Sequence, residues 1–171
     1  MYSLVRGTRA VISEPSRLAR QLALYVTMYS PLQMAADLPE SYNDHRDAFR
    51  FIEDVAVERD DTRYIEAEPD DYLTIARKAK GTSNWFVGAI TDEHARTATV
   101  PLSFLDAGRR YVATIYADAP DADWDRNPVA YRISSQVVTR DSVLSVALAN
   151  GGGAAVSIPP VTTGAPVPRG Q

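Results

Sequence analysis

The spacing of apolar residues near the N-terminus predicts a helix. Within residues 16–29, apolar side chains recur at helical intervals, at Leu18, Leu22, Tyr25, Val26 and Tyr29. From Leu22 onward almost the whole circumference is apolar, so we expect this helix to have neighbours on most sides. Pro15 suits its first turn, Ser13 is a candidate N-cap, and Pro31 ends it.

A short strand and a second helix are predicted next. Leu32–Asp37 is brief and mostly apolar, which favours a strand buried on both faces. Asp44–Asp54 carries apolar residues at helical intervals and is predicted to be a helix. Helix, buried strand and helix in succession are typical of an α/β layer. One strand is not a sheet, so we expect this unit to require partners.

After about Glu58 the pattern becomes β throughout. The predicted strands are Tyr72–Arg77, Trp85–Thr91, Arg96–Leu102, Tyr111–Asp118, Tyr131–Val138, Val143–Leu148 and Ala154–Ile158. The segments between them carry Gly, Asn and Asp turn chemistry. Short strands at this spacing predict an antiparallel β-sandwich. The fold class is therefore mainly β, an antiparallel β-sandwich preceded by a helix–strand–helix unit.

Composition and charge narrow the functional classes. The chain has 171 residues, no cysteine and a net charge of −4, which argues against a basic nucleic-acid-binding protein, disulfides and cysteine zinc sites. A complete (β/α)8 barrel needs roughly 250 residues. No run approaches a membrane-spanning length, and Met1–Arg9 lacks the apolar stretch of a signal peptide. We expect no nucleic-acid or membrane partner.

Several stretches together resemble the C-terminal part of glycoside hydrolase family 97. They are Leu18–Glu40, Asp71–Lys78, Trp85–Glu93, Tyr116–Trp124 with Asn127-Pro128, and Gly151–Gly153. The first stretch is long and specific, and the resemblance covers roughly residues 16–158. Residues 1–15 and 159–171 do not resemble the family, and the latter are predicted to be a disordered tail.

The resemblance implies a domain organisation. Residues 16–57 would be the last helix–strand–helix part of a (β/α)8 catalytic barrel, with Leu32–Asp37 as its last strand. Residues 58–158 would be the C-terminal β-sandwich, of the oligomerisation type. Family members are calcium-dependent, exo-acting α-glucosidases or α-galactosidases, the former inverting and the latter retaining, and they are commonly exported.

The resemblance also implies that the chemistry lies elsewhere. The family's catalytic and calcium-binding carboxylates belong to earlier parts of the enzyme, and no position of this chain matches their motifs. The sequence therefore predicts no catalytic residue, no metal ligand and no cofactor in this chain, and a fragment that is inactive alone. An α-glycoside would be bound only if the barrel were supplied.

Three residues are predicted at the rim of the substrate pocket in the intact enzyme. Asp37 stands at the carboxyl end of the predicted barrel strand, where barrel active sites lie. Gln33 points the same way but deeper, and Glu40 follows in the loop. The alternative for Asp37 is a structural acid that caps the next turn or pairs with an arginine.

For the other polar and aromatic residues, a structural role is weighed against a functional one. Two sets of acidic residues are interpreted as solvated turn residues. The first set is Glu66, Glu68, Asp70 and Asp71, and the second is Asp118, Asp121, Asp123 and Asp125. The loop Asp118–Pro128 has the oxygen density that calcium favours but lacks EF-hand spacing. His45 and His94 have no cysteine partner and are predicted to be exposed. Aromatic residues that could stack on sugars are interpreted as core: Tyr72, Trp85, Phe86, Tyr111, Tyr116, Trp124 and Tyr131.

Two non-catalytic functions stay open beside the glycosidase interpretation. One is an assembly module that self-associates or docks to a barrel, since an orphan helix and strand would expose apolar surface. The other is a carbohydrate-binding module.

Overall fold

The computed structural model describes residues 18–28, 30, 45–122, 127 and 130–161. These residues form two helices and eight strands. The helices are α1 (Leu18–Thr27) and α2 (Arg46–Asp54). The strands are β1 (Arg59–Glu68), β2 (Tyr72–Ala79), β3 (Trp85–Thr91), β4 (Arg96–Pro101), β5 (Tyr111–Asp118), β6 (Tyr131–Val138), β7 (Val143–Leu148) and β8 (Gly153–Ile158).

Both predicted helices are present. Helix α1 lies within the predicted 16–29. Of its predicted apolar stripe, Leu22 and Val26 are buried and Leu18 and Tyr25 are half-buried. The rest of its buried face consists of Ala19, Ala23 and Thr27. Helix α2 begins at Arg46, two residues later than the pattern suggested, and ends at Asp54 as predicted. The predicted strand Leu32–Asp37, and the capping roles of Ser13 and Pro15, lie outside the described residues.

The strands form a β-sandwich of two sheets of unequal size. A six-stranded sheet has the order β1-β2-β3-β8-β5-β6, and its neighbouring strands are all antiparallel. Strands β4 and β7 pair antiparallel as a second, two-stranded sheet. The predicted antiparallel sandwich is confirmed, and every predicted strand is present with ends that differ by at most two residues.

One strand, β1, was missed by the sequence pattern. Six of its ten residues are charged, so it shows no apolar alternation. It lies at the end of the sheet, where, among the described residues, only one of its edges is paired. An edge strand gains little from burial, so hydrophobic periodicity carries no signal for it.

The first core lies between the two sheets. Strand β7 alternates exposed and buried residues, which places Leu144, Val146 and Leu148 inward. They pack with a set of residues from the facing sheet that includes Trp85, Val87, Tyr111, Ala113, Val156 and Ile158. Alternation of this kind is the signature of a sheet with one solvated face.

A second core lies on the opposite face of the six-stranded sheet. Both helices pack there, and Phe51 of α2 is fully buried. Its ring meets Phe86 at 6.0 Å and Tyr116 at 5.3 Å between centroids, both in edge-on geometry. The inner strands of the six-stranded sheet, β2, β3, β8 and β5, are therefore covered on both faces. The described residues form three layers: helices, large sheet and small sheet.

Glycine allows the closest contact between helix and sheet. Gly88 stands in β3 beneath α1, and a Cβ built there would lie 2.7 Å from the Ala23 carbonyl oxygen and 2.9 Å from Val26 Cβ. At Gly153 a Cβ would lie 2.8 Å from Arg20 Cα. Both positions require a residue without a side chain, because the backbones approach too closely for one.

Candidate functional site

Helix α1 is held to the sandwich at its first turns by Arg20. The guanidinium donates to the carbonyl oxygen of Thr91 at 2.6 Å and to that of Gly151 at 3.2 Å. These carbonyls belong to the end of β3 and the turn before β8. Bonds from a charged donor are among the stronger ones in proteins, so Arg20 joins the helix to two loops of the sandwich.

Two further arginines hold the other end of α1. Arg59, at the start of β1, donates to the Tyr25 carbonyl at 2.7 Å, and Arg77 of β2 donates to the Thr27 carbonyl at 3.3 Å. Arg77 is only 5% exposed. The last carbonyls of a helix lack partners within it and carry its negative dipole end, so cations placed there stabilise it.

Helix α2 is joined to the edge strand β6 by a tyrosine. The Tyr131 hydroxyl donates a short hydrogen bond to the Asp47 carboxylate in the first turn of α2. Burial, and then this hydrogen bond, raise the pKa of Tyr131 to about 12. The His45 ring lies edge-on to Tyr131, 5.7 Å away. The half-buried His45 is therefore a packing residue, less exposed than predicted.

An open groove runs between α1 and the β1–β2 turn. Its volume is about 450 Å³, and Leu73 and Ile90 contribute apolar surface to it. Four carboxylates line it, those of Glu68, Asp70, Asp71 and Asp92, together with the Arg20 side chain. Four carboxylates face one guanidinium, so the lining of this groove carries a negative balance of charge.

The predicted rim residues cannot be placed. Gln33, Asp37 and Glu40 all lie outside the described residues. Their assignment to the substrate pocket of an intact enzyme stays a prediction.

The carboxylates with buried or half-buried positions have structural partners. Glu66 accepts from the Thr74 hydroxyl at 3.0 Å and pairs with Arg96 at 3.1 Å. Asp118 is 5% exposed, and its carboxylate accepts the backbone N–H groups of Ala149 and Gly153, each at 3.1 Å. These two differ from the predicted solvated turn residues, because each lies in a strand and holds two segments together.

The more exposed carboxylates agree with the turn interpretation. Glu68, Asp70 and Asp71 are exposed at the β1–β2 turn, and Asp71 N–H bonds to the Glu68 carbonyl at 3.1 Å. Asp121 accepts from the Asn127 side chain at 3.1 Å. Asp123 and Asp125 lie outside the described residues.

One cluster among the described residues brings three possible metal ligands together. Ligand atoms of Asp92, Glu93 and His94 lie within 4.8 Å of one another. The Asp92 carboxylate is already engaged, since it bonds both the His94 ring at 2.9 Å and the His94 N–H at 2.9 Å. These bonds lower the pKa of Asp92 and raise the pKa of His94. Calcium takes six to eight oxygens, so this exposed turn does not fit it.

Four of the seven aromatic residues considered as a sugar platform lie in the core. Trp85, Phe86, Tyr111 and Tyr116 are each at most 5% exposed. The Arg96 guanidinium carbon lies over the ring of Tyr72, 3.4 Å from the ring centroid. Tyr131 is half-buried against α2, and Trp124 lies outside the described residues. The core interpretation is confirmed for Trp85, Phe86, Tyr111 and Tyr116. It does not hold for Tyr72, which is half-buried and lines the open groove.

Sequence reasoning missed the residues that hold α1. These residues are Arg20, Arg59 and Arg77, which donate hydrogen bonds to backbone carbonyls distant in sequence. The spacing of residues along the chain gives no indication of such partners. A signal did exist for Gly88, since a lone glycine inside the strand Trp85–Thr91 indicates a close approach of another backbone. Neither described helix has the length and apolar character needed to cross a membrane.

Comparison with known proteins identifies relatives that are much longer than this chain. The chain is 37% identical over 139 residues to a retaining alpha-galactosidase of Bacteroides thetaiotaomicron, a match that covers 81% of this chain and 20% of the relative. It is 34% identical over 140 residues to a probable retaining alpha-galactosidase of Streptomyces bingchenggensis, with the same coverage. The chain therefore spans about a fifth of the length of these curated relatives.

Structural comparison and a family profile agree with this relationship. A glycoside hydrolase family 97 enzyme from Pseudoalteromonas sp. strain K8, solved with acarbose, superposes with a TM-score of 0.85 at 40% identity, over 87% of this chain and 23% of that one. A profile described as "Glycosyl-hydrolase 97 C-terminal, oligomerisation" matches residues 58–159. The chain belongs to glycoside hydrolase family 97, of which it carries the C-terminal domain.

Proposed function

We propose that this chain is a non-catalytic C-terminal part of a calcium-dependent, exo-acting α-glycosidase of the retaining α-galactosidase type. The observation that carries the non-catalytic role is the state of Glu66 and Asp118, two described strand carboxylates that are engaged in structural bonds. Glycoside hydrolysis needs two carboxyl groups across a substrate pocket. Glu66 and Asp118 are instead committed to Arg96, Thr74 and backbone amides.

The substrate class rests on the relatives. Two curated relatives that share 37% and 34% identity are named as retaining alpha-galactosidases, which favours an α-galactoside over an α-glucoside for the whole enzyme. The α-glucosidase alternative is tested in the assay below, which includes an α-glucoside substrate. Asp37, Gln33 and Glu40 are the residues through which this part of the chain would reach the substrate pocket.

The helical layer supplies the structural role. Residues 16–57 would close the catalytic barrel, and α1 and α2 within them pack on the sandwich through a shared core. The same helices would then be buried by both domains. Such an arrangement fixes the orientation of the barrel relative to the sandwich.

The test is an assay of the purified chain with p-nitrophenyl α-galactoside and α-glucoside, each with calcium and with chelator. We expect no release of p-nitrophenol above buffer. Turnover that disappears in Asp37→Asn but persists in the control Asp121→Asn, a change in an exposed loop, would overturn the non-catalytic role.

Self-association is a second candidate function, favoured by one observation. The profile that matches residues 58–159 describes this domain as an oligomerisation domain. A carbohydrate-binding role receives less support, because the buried rings of Trp85, Phe86 and Tyr111 leave no aromatic face for a sugar at those positions.

A further inference from the structure

The two ends of the six-stranded sheet differ sharply in character. Strand β1 carries six charged residues among ten, and its pairing with β2 is broken by register shifts after Arg59 and after Tyr64. Charges and bulges are the devices by which proteins keep an edge strand from pairing with another chain. Strand β1 is thus protected against edge-to-edge association.

Strand β6, at the other end of the sheet, has neither many charged residues nor a register shift. Of its eight residues only Arg132 is charged. Its pairing with β5 runs without a shift from Tyr131 opposite Asp118 to Val138 opposite Tyr111. No strand among the described residues pairs with its outer edge. A long, regular and weakly charged edge presents unpaired N–H and C=O groups to another strand.

We propose that β6 is the self-association edge, and that it pairs antiparallel with β6 of a second copy to continue the sheet across a dimer. The inference rests on the proposed self-association of this domain and names its surface. The occupant is a second copy because the matching profile describes an oligomerisation domain. Antiparallel pairing of two identical strands has twofold symmetry, the commonest symmetry of soluble dimers.

Symmetry limits the register of this pairing. For the two sheets to be continuous, the twofold axis must be perpendicular to them, so that residues on the same face lie opposite each other. The registers in which the eight residues overlap most fully place Ser134 or Ser135 at the centre, opposite its own counterpart in the second copy. In the first register Arg132 faces Gln136, and in the second it faces Val138.

In both registers the facing side chains of β6 are compatible with each other. Neither places the two arginines opposite each other, so like-charge repulsion is avoided. In the register centred on Ser135, Ile133 faces Val137 of the other copy. Ile133 is 36% exposed in the single chain, and this contact would cover an apolar side chain that the sandwich leaves open.

The test measures association of the full chain by light scattering during size-exclusion chromatography over a range of concentrations. The variant is Ser134→Lys/Gln136→Lys, which changes two exposed residues of β6. In either register it places a lysine opposite a lysine. We expect a wild-type dimer and a dissociation constant raised by at least about tenfold in the variant.

The matched control is Thr97→Lys/Thr99→Lys in β4. It adds the same two charges at the same spacing on exposed residues of the other sheet. We expect it to dimerise like the wild type. Equal weakening by both variants, or no weakening by the β6 variant, would overturn the edge assignment while leaving self-association intact. A monomeric wild type would overturn both, but not the non-catalytic role, which the turnover assay tests separately.

Hydrogen exchange of the wild type covers the case in which the β6 variant does not fold. We expect amide protection in β6 to rise with protein concentration while protection in β1 stays constant. Exchange in β6 that is independent of concentration would overturn the proposal.

Discussion

At the scale of single residues, the β1–β2 turn contains a conformation that aspartate disfavours. Asp70 has φ of 70°, and Asp71 N–H bonds back to the Glu68 carbonyl, so Asp70 is the third residue of a tight turn that begins at Glu68. Pro69 precedes it, as is common in a type II turn. Glycine adopts this conformation without the steric cost that a Cβ imposes.

We therefore expect Asp70→Gly to stabilise the chain by about 0.5–1 kcal/mol, the strain removed being larger than the chain entropy added. Chemical denaturation measures the difference. The control Asp71→Gly, at the next position, lacks the left-handed conformation and should be destabilising. A destabilised Asp70→Gly would show that the aspartate side chain itself supports the turn.

The bond between Tyr131 and Asp47 predicts a dependence of stability on alkaline pH. The pKa of Tyr131 is raised from 10.0 to about 12 by burial and by this bond, so the folded chain favours the protonated hydroxyl. Its stabilising contribution is complete below pH 10 and is lost as the pH rises through about 12.

The stability difference between the wild type and Tyr131→Phe should consequently shrink from pH 10 to pH 12. Urea denaturation at several pH values measures it. Tyr64→Phe, which removes a hydroxyl from a ring that is 73% exposed, is the control and should follow the wild type. A constant difference between wild type and Tyr131→Phe would contradict the assigned role.

At the scale of secondary-structure elements, the contact between α1 and the large sheet depends on the absence of side chains. A Cβ at Gly88 would meet backbone and side chain of α1 below 3.0 Å. Neither the carbonyl of Ala23 nor the Cβ of Val26 can move without moving the helix. The arginines at both ends of α1 oppose that movement.

We expect Gly88→Ala to cost about 1–3 kcal/mol and to loosen α1 more than the small sheet. Ser145→Thr also adds one methyl group to a strand, but on an exposed position of β7, and should change stability little. Thermal denaturation and hydrogen exchange of both variants make the comparison. Equal effects would mean that the close approach at Gly88 is unimportant.

The same scale shows which elements the sequence could predict. Strands β4 and β7 were recognisable because one face of each is buried and the other solvated, which produces strict alternation. Strand β1 gave no such signal, since both its faces and its outer edge carry charge. Helix α1 was recognisable from its apolar stripe, but its partner was not, because packing on a sheet and packing in a barrel require the same stripe.

At the scale of the whole molecule, the six-stranded sheet organises everything else. It carries the helices on one face and the small sheet on the other, and its inner strands present apolar side chains to both. The family resemblance predicted the sandwich from residue 58 and assigned the helices to the barrel. The structure adds that these helices share a core with the sandwich.

The candidate site was predictable to a smaller extent. The resemblance pointed to Asp37 and its neighbours, which lie outside the described residues. The residues that hold α1 in the structure act through backbone carbonyls distant in sequence: Arg20 of the helix itself, Arg59 of β1 and Arg77 of β2. Such bonds depend on the completed tertiary fold, and no local pattern reveals them.

The central claim is that α1 and the sandwich form one folded unit, although α1 precedes the region that matches the family profile. Native-state hydrogen exchange of the full chain tests it most directly, by comparing amides of α1 with those of β3. We predict that Ala23 and Val26 exchange with the same opening free energy as Val87 and Ala89, since they should open together. Exchange in α1 that is orders of magnitude faster, while β3 stays protected, would contradict the claim.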